Sequence, residues 1–204
     1  MGDGDLFGSP AGSSLEGPEP GCSYFFALRP MGLVNEQLGL LRESAIQALR
    51  VPRPGRVDNE RLHLTLCEPK GTPRLRAPFE TSLIRVGDEV RAETFDLRLQ
   101  GFARHNGAFD SACLVLRADG ATAPRAQALR RMLADALLKH GFHGGRGAFA
   151  PHVTLFYAND VEPSFDDHSA IDWHVDEFVL IKSWVGLSRH DTLARWSLRA
   201  PDRA

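Results

Sequence analysis

The order of its predicted elements most constrains the fold of this 204-residue chain, because a strand, a helix and two strands occur in that order twice. The first half contains "SYFFALRP", a helical stripe from Val34 to Leu49, "RLHLTL" and "TFDLRLQGF". The second half contains "SACLVLRA", a stripe from Leu129 to His140, "APHVTLFY" and "DEFVLIKSWVGL". Apolar residues at three- and four-residue steps indicate helices, and short apolar runs indicate strands. The repeat predicts an α+β, bilobal fold, with two pseudo-symmetric lobes of antiparallel sheet, helices packed outside and a central cleft.

Two of the predicted strands carry the same polar pair. His63 and Thr65 lie in the first, and His152 and Thr154 follow 152 − 63 = 89 positions later. Alternate side chains of a strand point to opposite faces, so each pair shares one face and the neighbouring Leu or Val residues share the other. We expect the apolar faces to pack against the helix of the same half. The His and Thr faces are then expected to line the cleft.

The two pairs together predict a phosphodiester substrate. A buried polar group without a partner costs about 1–3 kcal/mol, so four such groups in matched positions need a common reason. Imidazole can accept or donate a proton near neutral pH, and two of them can act as base and acid on one bound group. Two threonine hydroxyls can hold the charged oxygens of a phosphate. His63 and His152 are therefore the candidate catalytic residues, and Thr65 and Thr154 the candidate phosphate-binding residues.

A third match to the pattern, His190-Asp191-Thr192, lies in the polar stretch "SRHDT". Ser, Asp and Thr favour local hydrogen bonds to the backbone, so we expect a solvated hairpin turn there. His105 also lies in a polar stretch and is expected to be solvated. Strand context and position in the repeat, rather than the three letters, distinguish the other two matches.

Rival chemistries are less well supported. His140, His143 and His152 could suggest zinc, but no Cys or acidic residue completes a site at zinc spacing and no HExxH is present. The chain has neither a G-x-S-x-G elbow nor a P-loop, since "GFHGGRG" lacks the closing Gly-Lys-Ser/Thr. We expect neither a metal nor another cofactor.

Charge indicates a local contact with nucleic acid. The net charge of −2 does not favour binding by bulk electrostatics. Between Arg50 and Arg76, however, seven basic residues stand against three acidic ones, on both sides of the first His-Thr pair. Such an excess of positive charge could bind the phosphates of a nucleic-acid backbone, or it could belong to a solvated loop. Phe25, in a strand of the proposed cleft, is a candidate to stack on a base.

The first 21 residues are acidic and rich in Gly, Ser and Pro, and they predict a flexible tail before a single bilobal domain of residues 22–204. They lack the basic start and apolar middle of a secretory signal, and no run reaches the ~18 apolar residues of a membrane span. Three cysteines without CxxC spacing are typical of reduced thiols in a cytoplasmic protein. We expect a cytoplasmic monomer with no membrane association and no obligate protein partner.

The order "FFALRP", helix, "RLHLTL", "FDLRLQGF", "CLVLRA", helix, "FAPHVTLFY", "FVLIKS" and "RWSL" resembles the bacterial 2′-5′ RNA ligase/RNA 2′,3′-cyclic phosphodiesterase family, of the 2H phosphoesterase superfamily. The resemblance runs from about Tyr24 to Leu198. It implies a metal-independent enzyme that opens 2′,3′-cyclic phosphates of RNA ends or nucleosides to 2′-phosphates, with reversible 2′-5′ RNA ligation as a related activity. It also implies that His152 activates water, that His63 protonates the departing 3′-oxygen, and that Thr65 and Thr154 hold the phosphate.

One position departs from the family pattern. Members often carry arginine three residues after the second threonine, where this chain has Tyr157. Tyrosine can donate a hydrogen bond or stack, but it supplies no guanidinium charge. Tyr157, Phe25 and Arg146, the last as a compensating charge, are the candidate substrate contacts. Two alternatives stay open: a related 2H phosphodiesterase acting on another small cyclic or 2′-5′-linked nucleotide, and a non-catalytic RNA-end binding module.

Overall fold

The computed structural model describes residues 17–74, 77–106, 112–158 and 169–200. Three helices and eleven strands lie within these ranges, together with a 3-10 turn at Asn59–Arg61. In chain order they are β1 (Cys22–Leu28), α1 (Gly32–Ala48), β2 (Gly55–Arg56), β3 (Leu64–Cys67), β4 (Lys70–Gly71), α2 (Phe79–Glu89), β5 (Phe95–Asn106), β6 (Ala112–Ala118), α3 (Ala123–Lys139), β7 (Phe142–His143), β8 (His152–Tyr157), β9 (Ala170–Val175), β10 (Glu177–Trp184) and β11 (Arg189–Ser197).

The larger strands form two antiparallel sheets with matching order. One is β11-β10-β1-β3, and the other is β2-β8-β6-β5-β9. Without β2, the second sheet repeats the first, strand for strand, so the predicted pair of pseudo-symmetric lobes is confirmed. Each half of the chain also gives strands to the other lobe, since β5 pairs with β6 and β10 pairs with β1. Because of this exchange, each sheet contains strands from both halves of the chain.

Two short pairings fix the lobes relative to each other. β2 comes from the first half of the chain yet pairs with β8, and the Val57 N–H donates to the Leu155 carbonyl at 3.1 Å. β4 pairs with β7, with Lys70 opposite His143. β3 and β8 also contact each other directly. The strands with the two polar pairs are therefore held side by side where the lobes meet.

The helices cover the apolar side of these strands, but not in the way expected. The main contacts of α1 are with β8 and β9, and those of α3 include β3 and β5. β3 and β8 therefore pack mainly against the helix of the other half, because both lie at the junction of the lobes. Leu64 and Val153 consequently share one core that spans the lobes.

A second, smaller apolar cluster lies on the opposite face of the four-stranded sheet and contains Phe25, Ala27, Val179 and Ile181. Near this sheet, buried Lys182 donates to Glu80 at 2.9 Å and to Glu19. Glu19 belongs to the predicted tail, of which residues 1–16 lie outside the described residues. Cys67 and Cys113 are buried, and Cys22 is partly buried, all with free thiols. Within the described ranges, no helix is long and apolar enough to cross a membrane.

Candidate active site

The two histidines are held by the same local hydrogen bond. His63 immediately precedes β3, and its Nδ1 lies 2.6 Å from the Arg61 carbonyl oxygen. His152 opens β8, and its Nδ1 lies 2.8 Å from the Ala150 carbonyl oxygen. In each case the carbonyl belongs to the residue two positions earlier. A carbonyl oxygen only accepts, so Nδ1 carries the hydrogen in both rings and Nε2 is left for a substrate.

A β-bulge follows each polar pair at the same place. Along β3, Thr65 pairs with Ala27 and Cys67 pairs with Phe26, which leaves Leu66 as an extra residue. Along β8, Thr154 pairs with Val115 and Phe156 with Leu114, which leaves Leu155 as an extra residue. Bulges bend a strand and redirect its side chains, and they are common beside active sites.

The exposure pattern confirms that histidine and threonine share a face. His63 and Thr65 are partly exposed while Leu64 and Leu66 are buried, and residues 152–155 repeat this alternation. The bulge then places two consecutive residues in the core, so Phe156 is fully buried and the next residue, Tyr157, returns to the polar face.

Burial and neighbouring positive charge keep both histidines neutral. The pKa of His63 is lowered to about 4, chiefly by burial and also by Arg29, Arg61 and His152, while the hydrogen bond to the Arg61 carbonyl opposes the shift. Burial also lowers the pKa of His152, with contributions from His105 and Arg117. His152 is among the groups that lower the pKa of His63, so the two imidazoles lie close enough to interact although they come from different lobes.

Each histidine has an arginine from the neighbouring strand. Arg117 of β6 pairs with His152. Arg29 occupies the equivalent place after β1, where Leu28 pairs with Leu64. Its guanidinium donates to Thr192 Oγ1 at 2.7 Å and to the Glu60 carbonyl. Two neutral bases, two hydroxyls and nearby guanidinium groups form a site suited to an anion that exchanges protons.

The sequence prediction for His190 was wrong. The turn occupies residues 185–188, and His190 lies within β11, where it alternates with Thr192 on the same face as Phe25. Its ring centroid is 5.3 Å from that of His63 and 5.5 Å from that of Phe25. The turn ends at residue 188, earlier than the polar composition suggested, so His190 and Thr192 already follow the alternation of the strand. The third match to the His-x-Thr pattern was the sequence signal that could have identified His190 as a residue of this site.

His105 was also expected to be solvated. It is exposed, but its ring centroid lies 4.9 Å from that of His152. This contact depends on β5 entering the second lobe, which no local sequence pattern reveals.

The candidate substrate contacts lie in different surroundings. Phe25 is only 7% exposed and stacks on the His63 ring, with centroids 4.8 Å apart, so it supports that ring from beneath. Tyr157 is 43% exposed. Partial burial of its phenol and, to a smaller extent, the nearby Cys113 raise its pKa, while Arg61 opposes the shift. Arg146 lines a cavity of about 450 Å³ against α3, and its Nη2 lies 3.5 Å from Asp135 Oδ1. Neither His63 nor His152 is in the wall of that cavity.

The zinc alternative would need His140, His143 and His152 to meet. His140 Nε2 instead lies 2.7 Å from Glu89 Oε1, between α2 and α3. Across the residues that the structure describes, no three His, Cys, Asp or Glu side chains gather in a group that could hold a metal ion.

Comparison with known proteins identifies the fold and the family. A structure described as a phosphoesterase matches with a TM-score of 0.68 and 22% identity, covering 87% of this chain and 98% of its own. Escherichia coli LigT complexed with 3′-AMP matches with a TM-score of 0.66 and 22% identity, covering 86% and 97%. A Thermus thermophilus protein matches with a TM-score of 0.59 and 21% identity, covering 88% and 99%. No match was found among curated proteins.

The family model for the 2′-5′ RNA ligase superfamily matches residues 40–185, which include both His-Thr pairs. This match spans most of the chain and agrees with the duplicated lobes. The resemblance seen in the sequence is thereby confirmed. The chain belongs to the 2′-5′ RNA ligase superfamily, the 2H phosphoesterases.

Proposed function

We propose that this protein opens 2′,3′-cyclic phosphates, at RNA ends or on nucleosides, to 2′-phosphates by two-histidine acid–base catalysis that needs no metal. The observation that carries the proposal is the matched pair of Nδ1 hydrogen bonds on His63 and His152. These bonds give both rings the same tautomer and orient them from the backbone. Two bases prepared in the same way within one site fit a reaction that needs a proton acceptor and a proton donor.

The reaction would proceed by in-line attack. Nε2 of His152 accepts a proton from water as the water oxygen bonds to phosphorus. The bond from phosphorus to the 3′-oxygen breaks, and protonated His63 donates its proton to that oxygen. The products are a 3′-hydroxyl and a 2′-phosphate. After each turnover His152 releases its proton to solvent and His63 takes one up, which restores both rings.

The remaining groups would hold the phosphate. Thr65 and Thr154 lie on the same faces as the histidines, where their hydroxyls can donate to the non-bridging oxygens. Arg29 and Arg61 lower the pKa of His63, which marks a region of positive potential. A bound phosphate would oppose that effect and raise the pKa of His63 towards the protonated form that the reaction requires.

The solved relatives bind ligands of the kind that this proposal needs. Escherichia coli LigT has been crystallised with 3′-AMP and with phosphate. Its fold, shared over most of both chains, therefore accommodates a nucleotide phosphate.

A product assay tests the proposal. Nucleoside 2′,3′-cyclic phosphates and RNAs with cyclic ends are incubated with the protein in excess chelator, and mass spectrometry and phosphorus NMR locate the product phosphate. We expect 2′-phosphates and undiminished turnover in chelator. A 3′-phosphate product, or loss of turnover in chelator, would contradict the mechanism.

Tyr157 is the observation that favours a related 2H phosphodiesterase as a second candidate, because its exposed phenol stands where relatives often carry arginine. The same assay should therefore include a 2′-5′-linked dinucleotide and a cyclic phosphate of ADP-ribose. Turnover of one of these alone would assign that substrate class. Tight binding of cyclic-ended RNA without any product would instead indicate a binding module.

A further inference from the structure

His190, Arg61 and Arg29 lie together on the first-lobe side of His63. The His190 ring meets that of His63 nearly edge-on, with an angle of 70° between the ring planes. Arg29 is tied to the same strand as His190 through Thr192. The mechanism above uses His63 but assigns no task to His190.

Two polar atoms in this cluster lack partners. Among the described residues, the buried side-chain polar atoms without a hydrogen-bond partner are Arg61 Nε, Arg130 Nε and His190 Nδ1. Two of these three belong to residues beside His63. A buried polar atom without a partner is destabilising, so two of them in one place indicate a site that a bound group completes.

The charges around this cluster favour an anion. The pKa of His190 is lowered to about 4, chiefly by burial and also by His63, Arg61 and Arg29, while Asp191 opposes the shift. The Asp191 carboxylate is occupied elsewhere, because it accepts hydrogen bonds from Trp184 Nε1 and Arg189 Nε. Positive charge is therefore concentrated where unpaired polar atoms remain.

We propose that Arg61, Arg29 and His190 form an anion subsite that takes a second phosphate, the one attached to the 5′-oxygen of the terminal nucleotide. The inference rests on the proposed function and deepens it, because it states what the substrate carries beyond its cyclic phosphate. With the 3′-oxygen at His63, the next charged group along the nucleotide is this 5′-phosphate. The 5.3 Å between the His63 and His190 ring centroids lies within the span of one ribose-phosphate unit.

Three substrates test the subsite: adenosine 2′,3′-cyclic phosphate with a 5′-hydroxyl, with a 5′-phosphate, and with a 5′-phosphodiester to a second nucleoside. We expect kcat/KM to be about tenfold or more higher for the two substrates with a second phosphate. Arg61→Met and His190→Phe keep much of the side-chain volume but remove the charge or the ring nitrogens, and each should bring this ratio towards one. Arg85→Met, which removes an exposed charge on α2, should leave the ratio unchanged.

The substrate ratio of the wild-type protein is decisive even if a variant folds poorly. Equal kcat/KM for all three substrates would overturn the proposal, as would an unchanged ratio in both folded subsite variants. A preference for both phosphorylated substrates shows that the subsite accepts a nucleotide chain. A preference for the 5′-phosphate alone restricts the subsite to mononucleotides.

Binding separates failure of the subsite from failure of the proposed reaction. Calorimetry with the His152→Ala variant compares the 5′-phosphorylated and 5′-hydroxyl cyclic nucleotides without turnover. Tighter binding of the phosphorylated form, lost when Arg61→Met is added, supports the subsite even if the wild-type protein opens no cyclic phosphate. Equal binding rejects the subsite whatever the product assay shows.

Discussion

Leu66 and Leu155 are the extra residues of two β-bulges that occupy equivalent places, each three positions after a histidine of the candidate site. Each bulge changes the face of the strand after the threonine. Without it, strict alternation would place Phe156 on the polar face and Tyr157 in the core, whereas Phe156 is fully buried and Tyr157 is exposed. The duplicated bulge therefore determines which residue of β8 lies on the polar face.

Removal of either histidine should nearly abolish activity. General acid–base catalysis typically contributes about 10²–10⁴-fold, so we expect His63→Ala and His152→Ala each to lower kcat by about that factor. Steady-state assays on a nucleoside 2′,3′-cyclic phosphate measure the loss. His174→Gln is a suitable control, since His174 of β9 is exposed and bonds to Asp96 of β5. Near-normal turnover in either alanine variant would rule out the two-histidine mechanism.

The two threonines should act through their hydroxyls. Thr65→Val and Thr154→Val keep the side-chain shape but remove a donor to the charged phosphate, which predicts a loss of about 10- to 100-fold in kcat/KM. Serine at each position restores the hydroxyl and should recover most of the activity. If serine and valine variants were equally impaired, packing rather than phosphate binding would explain the role of these positions.

Activity should peak on the acidic side of the ordinary imidazole range. The reactive form carries one proton on the histidine pair, and the pKa values of both His63 and His152 lie below 6.5 in the free protein. A plot of kcat/KM against pH should therefore be bell-shaped with its maximum below pH 6.5. The kcat profile should lie at higher pH, because a bound phosphate raises both pKa values. A kcat/KM maximum above about pH 7 would contradict this arrangement.

Local patterns in the sequence predicted the repeated elements and both polar pairs. The helical stripe from Val34 to Leu49 corresponds to α1, and the stripe from Leu129 to His140 corresponds to the later part of α3. Two elements were missed although their patterns are regular. Phe79, Leu83 and Val86 form one buried face of α2, and Ile171, Trp173 and Val175 alternate along β9.

Long-range pairing explains what the sequence could not predict. β5 and β10 each pair with a strand from the other half of the chain. Their local sequence patterns are similar, so these patterns do not show which strand each of them pairs with. The contact of His105 with His152 and the exchanged helix packing follow from that pairing. The prediction for His190 failed for a different, local reason. The predicted turn was displaced by a few residues, which was enough to place His190 in solvent instead of beside His63.

His63 should also make the folded protein sensitive to acid. Its pKa is about 4 in the folded state against 6.5 for the free side chain, so the unfolded chain binds more protons between these values. The stabilising contribution is complete above pH 6.5 and is lost as pH falls towards about 4, by about 3 kcal/mol in all. Denaturant unfolding of wild type and His63→Gln at several pH values measures the difference. A smaller acid-induced loss in the variant is expected, and parallel curves would contradict the low pKa.

Gly87 permits the close packing of α2 on β11. A Cβ built there would lie 2.2 Å from Trp196 Cζ2, and the Trp196 indole is confined by stacking on Phe178 with ring centroids 5.0 Å apart. Alanine favours a helix over glycine by about 1 kcal/mol, but overpacking a confined ring costs about 1–3 kcal/mol, so Gly87→Ala should be destabilising on balance. Gly120→Ala adds a methyl group where no atom lies within 4 Å and is the matched control. Denaturant unfolding followed by tryptophan fluorescence should show a lower midpoint for Gly87→Ala alone. A midpoint at or above that of the wild-type protein would mean that the indole can move aside.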